Sequence, residues 1–166
     1  MKLLREIIRK ILKEQSQDVT PALAFLKDLG SQVDKYKVEY GYSHAFSIYH
    51  DNCIVTLSAE IPDEEDSYVH LGYLSVTNRE GRIDSKCFRK GYAGDLLQLV
   101  VASADRHGVT LGLSAESSYT PEYLQRKYGQ DIDTPDKEEL AKFYARYGFK
   151  ETDRNLQQIY MQRSCR

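Results

Sequence analysis

The chain has no uncharged apolar run approaching the length of a membrane span, and only three cysteines and four histidines among its 166 residues. The first absence excludes a transmembrane helix of the usual kind. Cys53, Cys87 and Cys165 are odd in number, at spacings that match neither a zinc site nor a disulfide framework. They read as the cysteines of a reducing, cytoplasmic protein. His44, His50, His70 and His107 are scattered, so no metal centre is expected. Charge of one sign is also lacking: 23 Lys and Arg face 25 Asp and Glu, a net charge of −2. No global attraction to nucleic acid or to an acidic membrane follows, and nucleic acid is not an expected partner. There is no internal repeat, low-complexity tract or interdomain linker. The length suits one domain whose core needs no metal or disulfide staple.

What is present begins with a helical stripe. Leu3, Leu4, Ile7, Ile8, Ile11 and Leu12 share one face, and Lys2, Arg5, Arg9, Lys10 and Lys13 the other, which predicts an amphipathic helix within residues 1–15. Its charges leave no room for the apolar region of a secretory signal. Such a stripe either packs on the body of the protein or, set off by Gln15-Ser16-Gln17-Asp18, acts as a detachable targeting or docking segment. It resembles the short basic leaders of tailed-bacteriophage proteins, and Leu12-Lys13-Glu14 resembles the Leu-x-Glu signal of prohead proteases. That resemblance implies docking through residues 1–14 and a phage or virion association.

The main domain is expected over residues 20–166. Thr20-Pro21 caps a helix carrying Leu23, Leu26 and Leu29, which is expected to run toward Tyr36. Val38, Tyr40, Tyr42, His44, Phe46 and Ile48 alternate as one strand. Asp51-Asn52 suits a tight turn into a second strand with Cys53, Val55, Leu57, Ala59 and Ile61 on one face, and a third strand spans Tyr68 to Thr77. A helix with Leu96, Leu97, Val100 and Val101 ends at His107-Gly108, and Val109 to Ala115 reads as a buried strand. Glu116 to Asp133 is a long polar segment of the kind that covers a site. Thr134-Pro135 opens a helix bearing Leu140, Phe143, Tyr144 and Tyr147, and strands at Phe149–Thr152 and Gln158–Gln162 finish the chain.

The stretch Phe88-Arg89-Lys90-Gly91-Tyr92-Ala93-Gly94 lies between a strand and a helix, where main-chain N–H groups go unpaired at the positive end of the helix dipole. With no bulky side chain at 91, 93 or 94, a phosphate can approach the backbone, and Arg89 and Lys90 add positive charge. An anion site and an ordinary turn before a core helix both fit the short pattern. The βαβ-like context favours the anion site.

Three segments in this order resemble the GNAT superfamily of acetyl-CoA-dependent N-acyltransferases. They are Leu71-Gly72-Tyr73-Leu74-Ser75-Val76, Arg89 through Leu97, and Leu140 through Phe149. The resemblance covers residues 38 to 163. It implies an α/β fold with a mixed sheet, an antiparallel meander leading into a splayed central strand, and helices on both faces. It also implies acetyl-CoA as cosubstrate and an amine, on a small molecule or a protein, as acceptor. By this resemblance a β-bulge in the central strand frees the backbone at Leu74, Ser75 and Val76 to hold pantetheine and the acetyl carbonyl, and Arg89, Lys90, Gly91, Tyr92, Ala93 and Gly94 hold the pyrophosphate. Tyr144 falls on the family's acid; on residue chemistry alone it is equally a core aromatic. His70 lies where some members carry a glutamate base, with Glu60 or a water chain as alternatives and simple packing as the plainer role. Phe88 stands where the family has Gln or Arg, the link from Val76 to the loop is long, and an asparagine common after the next strand is absent. Those departures support a second expectation, a GNAT-like binding protein without turnover.

Overall fold

The computed structural model describes residues 19–39, 43–62, 66–117 and 121–166. The amphipathic stripe of residues 1–15 and its leader reading lie outside these, as do Tyr40, Tyr42 and the acidic residues 63–65. In chain order the elements are α1 (Pro21–Gln32), β1 (Lys35–Glu39), β2 (Ser43–His50), β3 (Cys53–Glu60), β4 (Tyr68–Asn78), α2 (Tyr92–His107), β5 (Thr110–Ala115), α3 (Pro121–Tyr128), α4 (Lys137–Ala145), β6 (Lys150–Arg154) and β7 (Ile159–Arg163). The strands form one mixed seven-stranded sheet in the order β1-β2-β3-β4-β5-β7-β6.

Local chemistry sets the element ends. Thr20 Oγ1 accepts the N–H of Leu23 at 3.3 Å, and Pro21 fills the first helical position of α1. This helix stops at Gln32, because Tyr36 belongs to β1 and lies over Phe46 with ring centroids 5.1 Å apart. The strand expected from Val38 to Ile48 is two antiparallel strands, with Val38 opposite His44 and Glu39 opposite Ser43. An even separation keeps Val38 and His44 on one face whether the chain runs straight or folds back. Alternation therefore cannot reveal the break. α4 is capped by Asp136 rather than Thr134: Asp136 Oδ1 accepts the Glu139 N–H at 2.8 Å, and Glu139 Oε2 accepts that of Asp136 at 3.1 Å. The polar segment from Glu116 to Asp133 contains α3, whose Leu124 packs with Ile83 and Ile132 in a small separate core.

The main core lies on one face of the sheet. Phe46, Ile48, Val55, Leu57, Val69, Leu71, Leu111 and Leu113 meet Phe25, Leu26 and Leu29 of α1 and Leu96, Leu97 and Val100 of α2. Each such side chain removed from water contributes about 1.5–3 kcal/mol. α4 packs against β5 and β7, and its Tyr144 joins the same core. The described helices α1, α2 and α4 pack on this face. Polar contacts fix α2 from both sides. Asp28 of α1 accepts from Ser103 Oγ at 2.6 Å and Arg106 Nη2 at 2.7 Å. Arg163 of β7, only 3% exposed, donates two hydrogen bonds of 2.8 and 2.7 Å to Asp105. At the far edge, β6 exposes all five of its residues, and Arg154 holds both Glu151 and Glu138.

Candidate functional site

Among the described strands, β4 and β5 are the parallel neighbours. They pair from Tyr68 opposite Thr110 to Leu71 opposite Leu113 and then part. Residues 74–78 of β4 stay with β3, and Ser114 and Ala115 of β5 stay with β7. A wedge opens between two strands whose main-chain groups on that side lack a strand partner. The parting coincides with a β-bulge. On β3 only Ser58 separates Leu57 from Ala59, whereas on β4 both Gly72 and Tyr73 separate their partners Leu74 and Leu71. Ser58 Oγ accepts the Tyr73 N–H at 2.9 Å and lies where a Cβ on Gly72 would have to be. Gly72 entered the sequence reading only as part of the Leu71–Val76 segment, and Ser58 did not enter it; a glycine interrupting a strand pattern was the available signal.

Leu74, Ser75 and Val76 follow the bulge directly, along the open side of β4. The loop that carries Arg89, Lys90, Gly91, Tyr92, Ala93 and Gly94 returns to the same end of the sheet. Gly91 is the N-cap of α2 at φ 86°, a left-handed conformation that favours glycine, and no side chain caps the helix. The carbonyl of Gly91 accepts from Gly94 and Asp95, at 2.8 and 3.2 Å, while a Cβ on Gly91 would point into open space. The N–H groups of Tyr92 and Ala93, ahead of these in the first turn, have no intrahelical acceptor. Arg89 is left-handed too, at φ 54°, and its guanidinium lies 2.7 Å from Asp133. Phe88, in the position where a polar side chain was expected, packs against the Ile83, Leu124 and Ile132 core. It anchors the loop to α3.

Two contacts that the sequence did not suggest tie this loop to the turn between β2 and β3. Cys53 and Cys87 form a disulfide, with Cα atoms 5.6 Å apart, so the expectation of unpaired cysteines is corrected. Their separation of 34 residues gave no sign of it. The pairing arises because Asn78 sits opposite Cys53, the chain turns tightly from Asn78 N–H to Arg82 C=O at 2.8 Å, and a 3₁₀ turn at Ser85–Cys87 comes back beside β3. The same detour explains how a long link still delivers the loop to the end of β4. His50, the last residue of β2, stacks on Tyr92 with centroids 4.3 Å apart and planes 6° apart. Its Nε2 is 3.3 Å from Asp95 Oδ2, an electrostatic contact off the angle that a hydrogen bond needs.

His70 and Glu60 are direct cross-strand partners, and His70 also faces Gly112 of β5, one position before the strands part. Alternation from the buried Val69 and Leu71 puts both on the face away from α2. Tyr144 is on the helix-bearing face, buried, with Phe143 at 5.2 Å and Phe149 at 5.9 Å. Burial pushes its phenol up to about 12. Glu60 and His70 thus lie near the vertex of the wedge on one face of the sheet, and Tyr144 belongs to the core on the other. Among the described residues no group of three His, Cys, Asp or Glu side chains could hold a metal ion, and no helix is long and apolar enough to cross a membrane.

No protein-family model matches the chain, and no curated protein does. Among solved structures it is similar to the anti-CRISPR protein AcrVA5, at 18% identity over 72% of this chain and 98% of that one, with a TM-score of 0.42. It is also similar to a protein assigned to the GNAT acetyltransferases from Desulfovibrio desulfuricans, at 14% identity over 74% and 69%, with a TM-score of 0.47. A protein of Pyrococcus horikoshii is similar at 15% identity over 87% and 74%, with a TM-score of 0.40.

Proposed function

We propose that this chain is a GNAT-type N-acyltransferase that moves an acetyl group from acetyl-CoA to an amine. The observation that carries the reading is the parting of β4 from β5 at a bulge, with an uncapped helix N-terminus brought to the same end. The parts fit the cosubstrate. Main-chain groups at Leu74, Ser75 and Val76 would hold an extended amide chain, and the open space at Gly91, with the N–H groups of Tyr92 and Ala93, would take a pyrophosphate, with Lys90 adding charge. Bound there, acetyl-CoA supplies the activated acyl group. His70 or Glu60 would take the proton of the attacking amine from one face, and Tyr144 would give its proton to the departing sulfur from the other. A phenol with a raised pKa is protonated at neutral pH, as an acid must be.

Titration calorimetry with acetyl-CoA and CoA tests this reading. Saturable binding that Gly91→Val weakens is the expected result; no binding of either at millimolar concentration overturns it. One observation favours a binding protein without turnover. Phe88 is committed to the small core and Arg89 to Asp133, which leaves fewer groups for a phosphate. CoA binding with no acetylation across a panel of amines would select that second reading.

A further inference from the structure

We propose that the Cys53–Cys87 disulfide is a redox latch that holds the Phe88–Gly94 segment in its CoA-binding shape; the binding half of this inference rests on the acyltransferase reading. The argument starts from where the bond lies. Cys87 is the last residue before Phe88, and Cys53 starts the strand whose Val55 pairs with Val76 of β4. The bond thus joins the loop to the rim of the wedge it serves. Both cysteines are buried, at 7% and 3% exposure. Beyond them Phe88 pins the start of the loop in the small core of Ile83, Leu124 and Ile132, and the rest is held by exposed or partly exposed contacts: Arg89 with Asp133, both largely in solvent, and His50 stacked on Tyr92. An exposed ion pair contributes little on its own. One residue of the loop, Arg89, keeps a left-handed conformation, at φ 54°, that a free segment would leave.

Opening the latch needs a thiol reductant, of the dithiol or glutathione class. A reductant thiolate attacks one sulfur, the other cysteine leaves as a thiolate and takes a proton, and a second reductant thiol frees the first cysteine. Two electrons pass from the reductant to the protein, and the reductant becomes a disulfide. The reduced cysteines then remain as two small apolar groups without the covalent tie, and the segment samples more conformations. Ligand affinity falls by the fraction of time the binding shape is lost. Linkage makes the effect reciprocal: a ligand that prefers the latched loop must draw the thiol–disulfide equilibrium toward the disulfide by the same factor.

The experiment uses the full chain with Cys165→Ser, so that the exposed third cysteine takes no part. Hydrogen exchange of residues 85–94 is compared in oxidised and dithiothreitol-treated protein, and CoA affinity is measured in both. The oxidised fraction is then followed in glutathione buffers with and without CoA. The latch predicts faster exchange confined to the loop on reduction, CoA affinity lower by about fivefold or more, and an oxidised-to-reduced ratio raised by saturating CoA by a matching factor. Cys53→Ala/Cys87→Ala should behave as the reduced form and ignore dithiothreitol. Unchanged exchange on reduction overturns the latch, as does equal CoA affinity in the two states. Absence of CoA binding in both states overturns the acyltransferase reading and the control of binding with it, while the exchange comparison still decides whether the bond orders the loop.

Discussion

The hydroxyl of Tyr147, in the turn just past α4, occupies the space that a Cβ on Gly94 in the first turn of α2 would need. The two helices approach that closely only because residue 94 has no side chain. Gly94→Ala should cost about 1–3 kcal/mol in denaturant unfolding, as overpacking does. In a Tyr147→Leu background the same change should be neutral or stabilising by up to about 1 kcal/mol, the helix-propensity gain. A double-mutant cycle without coupling would show that the hydroxyl is free to move aside.

Tyr144 offers a test that does not require knowing the acceptor. Its folded pKa of about 12 lies above the ordinary 10.0, so the folded state holds this proton more tightly than the unfolded state. That contribution is fully present below about pH 10 and is lost as pH rises toward 12. Wild-type protein should lose up to about 2–3 kcal/mol relative to Tyr144→Phe across that window, by the linkage of two pKa units. In turnover, Tyr144→Phe should lower kcat by about 10²-fold or more. Parallel stability curves would place the phenol in water.

The pair of Arg163 and Asp105 ties α2 to β7. The hydrogen bonds of Arg163 hold the Asp105 carboxyl below its ordinary 3.8. Its contribution is therefore present above about pH 4 and disappears as pH falls through the lower folded value. Asp105→Ala leaves the nearly inaccessible guanidinium unpaired, and a loss of about 3–5 kcal/mol is expected by chemical denaturation. Replacing Arg163 by Met together with Asp105→Ala should recover a large part of it.

His70→Gln should lower kcat/KM by about 10²–10⁴ and remove the acidic limb of the pH–rate profile, whereas Glu60→Gln should leave that limb in place. The opposite pattern would assign the base to Glu60. A profile unmoved by both would leave proton removal to water.

Much of this arrangement was legible from periodicity and capping. The β2–β3 turn at Asp51-Asn52, the long β4, the glycine-led α2 and the late helix with Tyr144 all follow from alternation, 3.6-residue spacing and end residues. Contacts between distant segments were not legible. Nothing in the spacing of Cys53 and Cys87 foretold their meeting, since it depends on the detour between Asn78 and Ser85. Phe88 looked like a failed phosphate ligand because its partners, Ile83, Leu124 and Ile132, come from a segment that reads as polar. The bulge was legible only through the family resemblance and an odd glycine, because the Ser58 hydroxyl that accepts the Tyr73 N–H sits on another strand.

The two borders of the sheet differ in what they offer to a neighbouring chain. β6 presents Lys150, Glu151, Asp153 and Arg154, with the guanidinium already occupied by two carboxylates, so an added strand would have to strip paired charges from water. β1 presents Tyr36 at 40% and Val38 at 51% exposure between Lys35, Lys37 and Glu39. In a crowded solution, edge-to-edge aggregation of this protein would start from β1. A lysine at position 38 is the single change that should slow it.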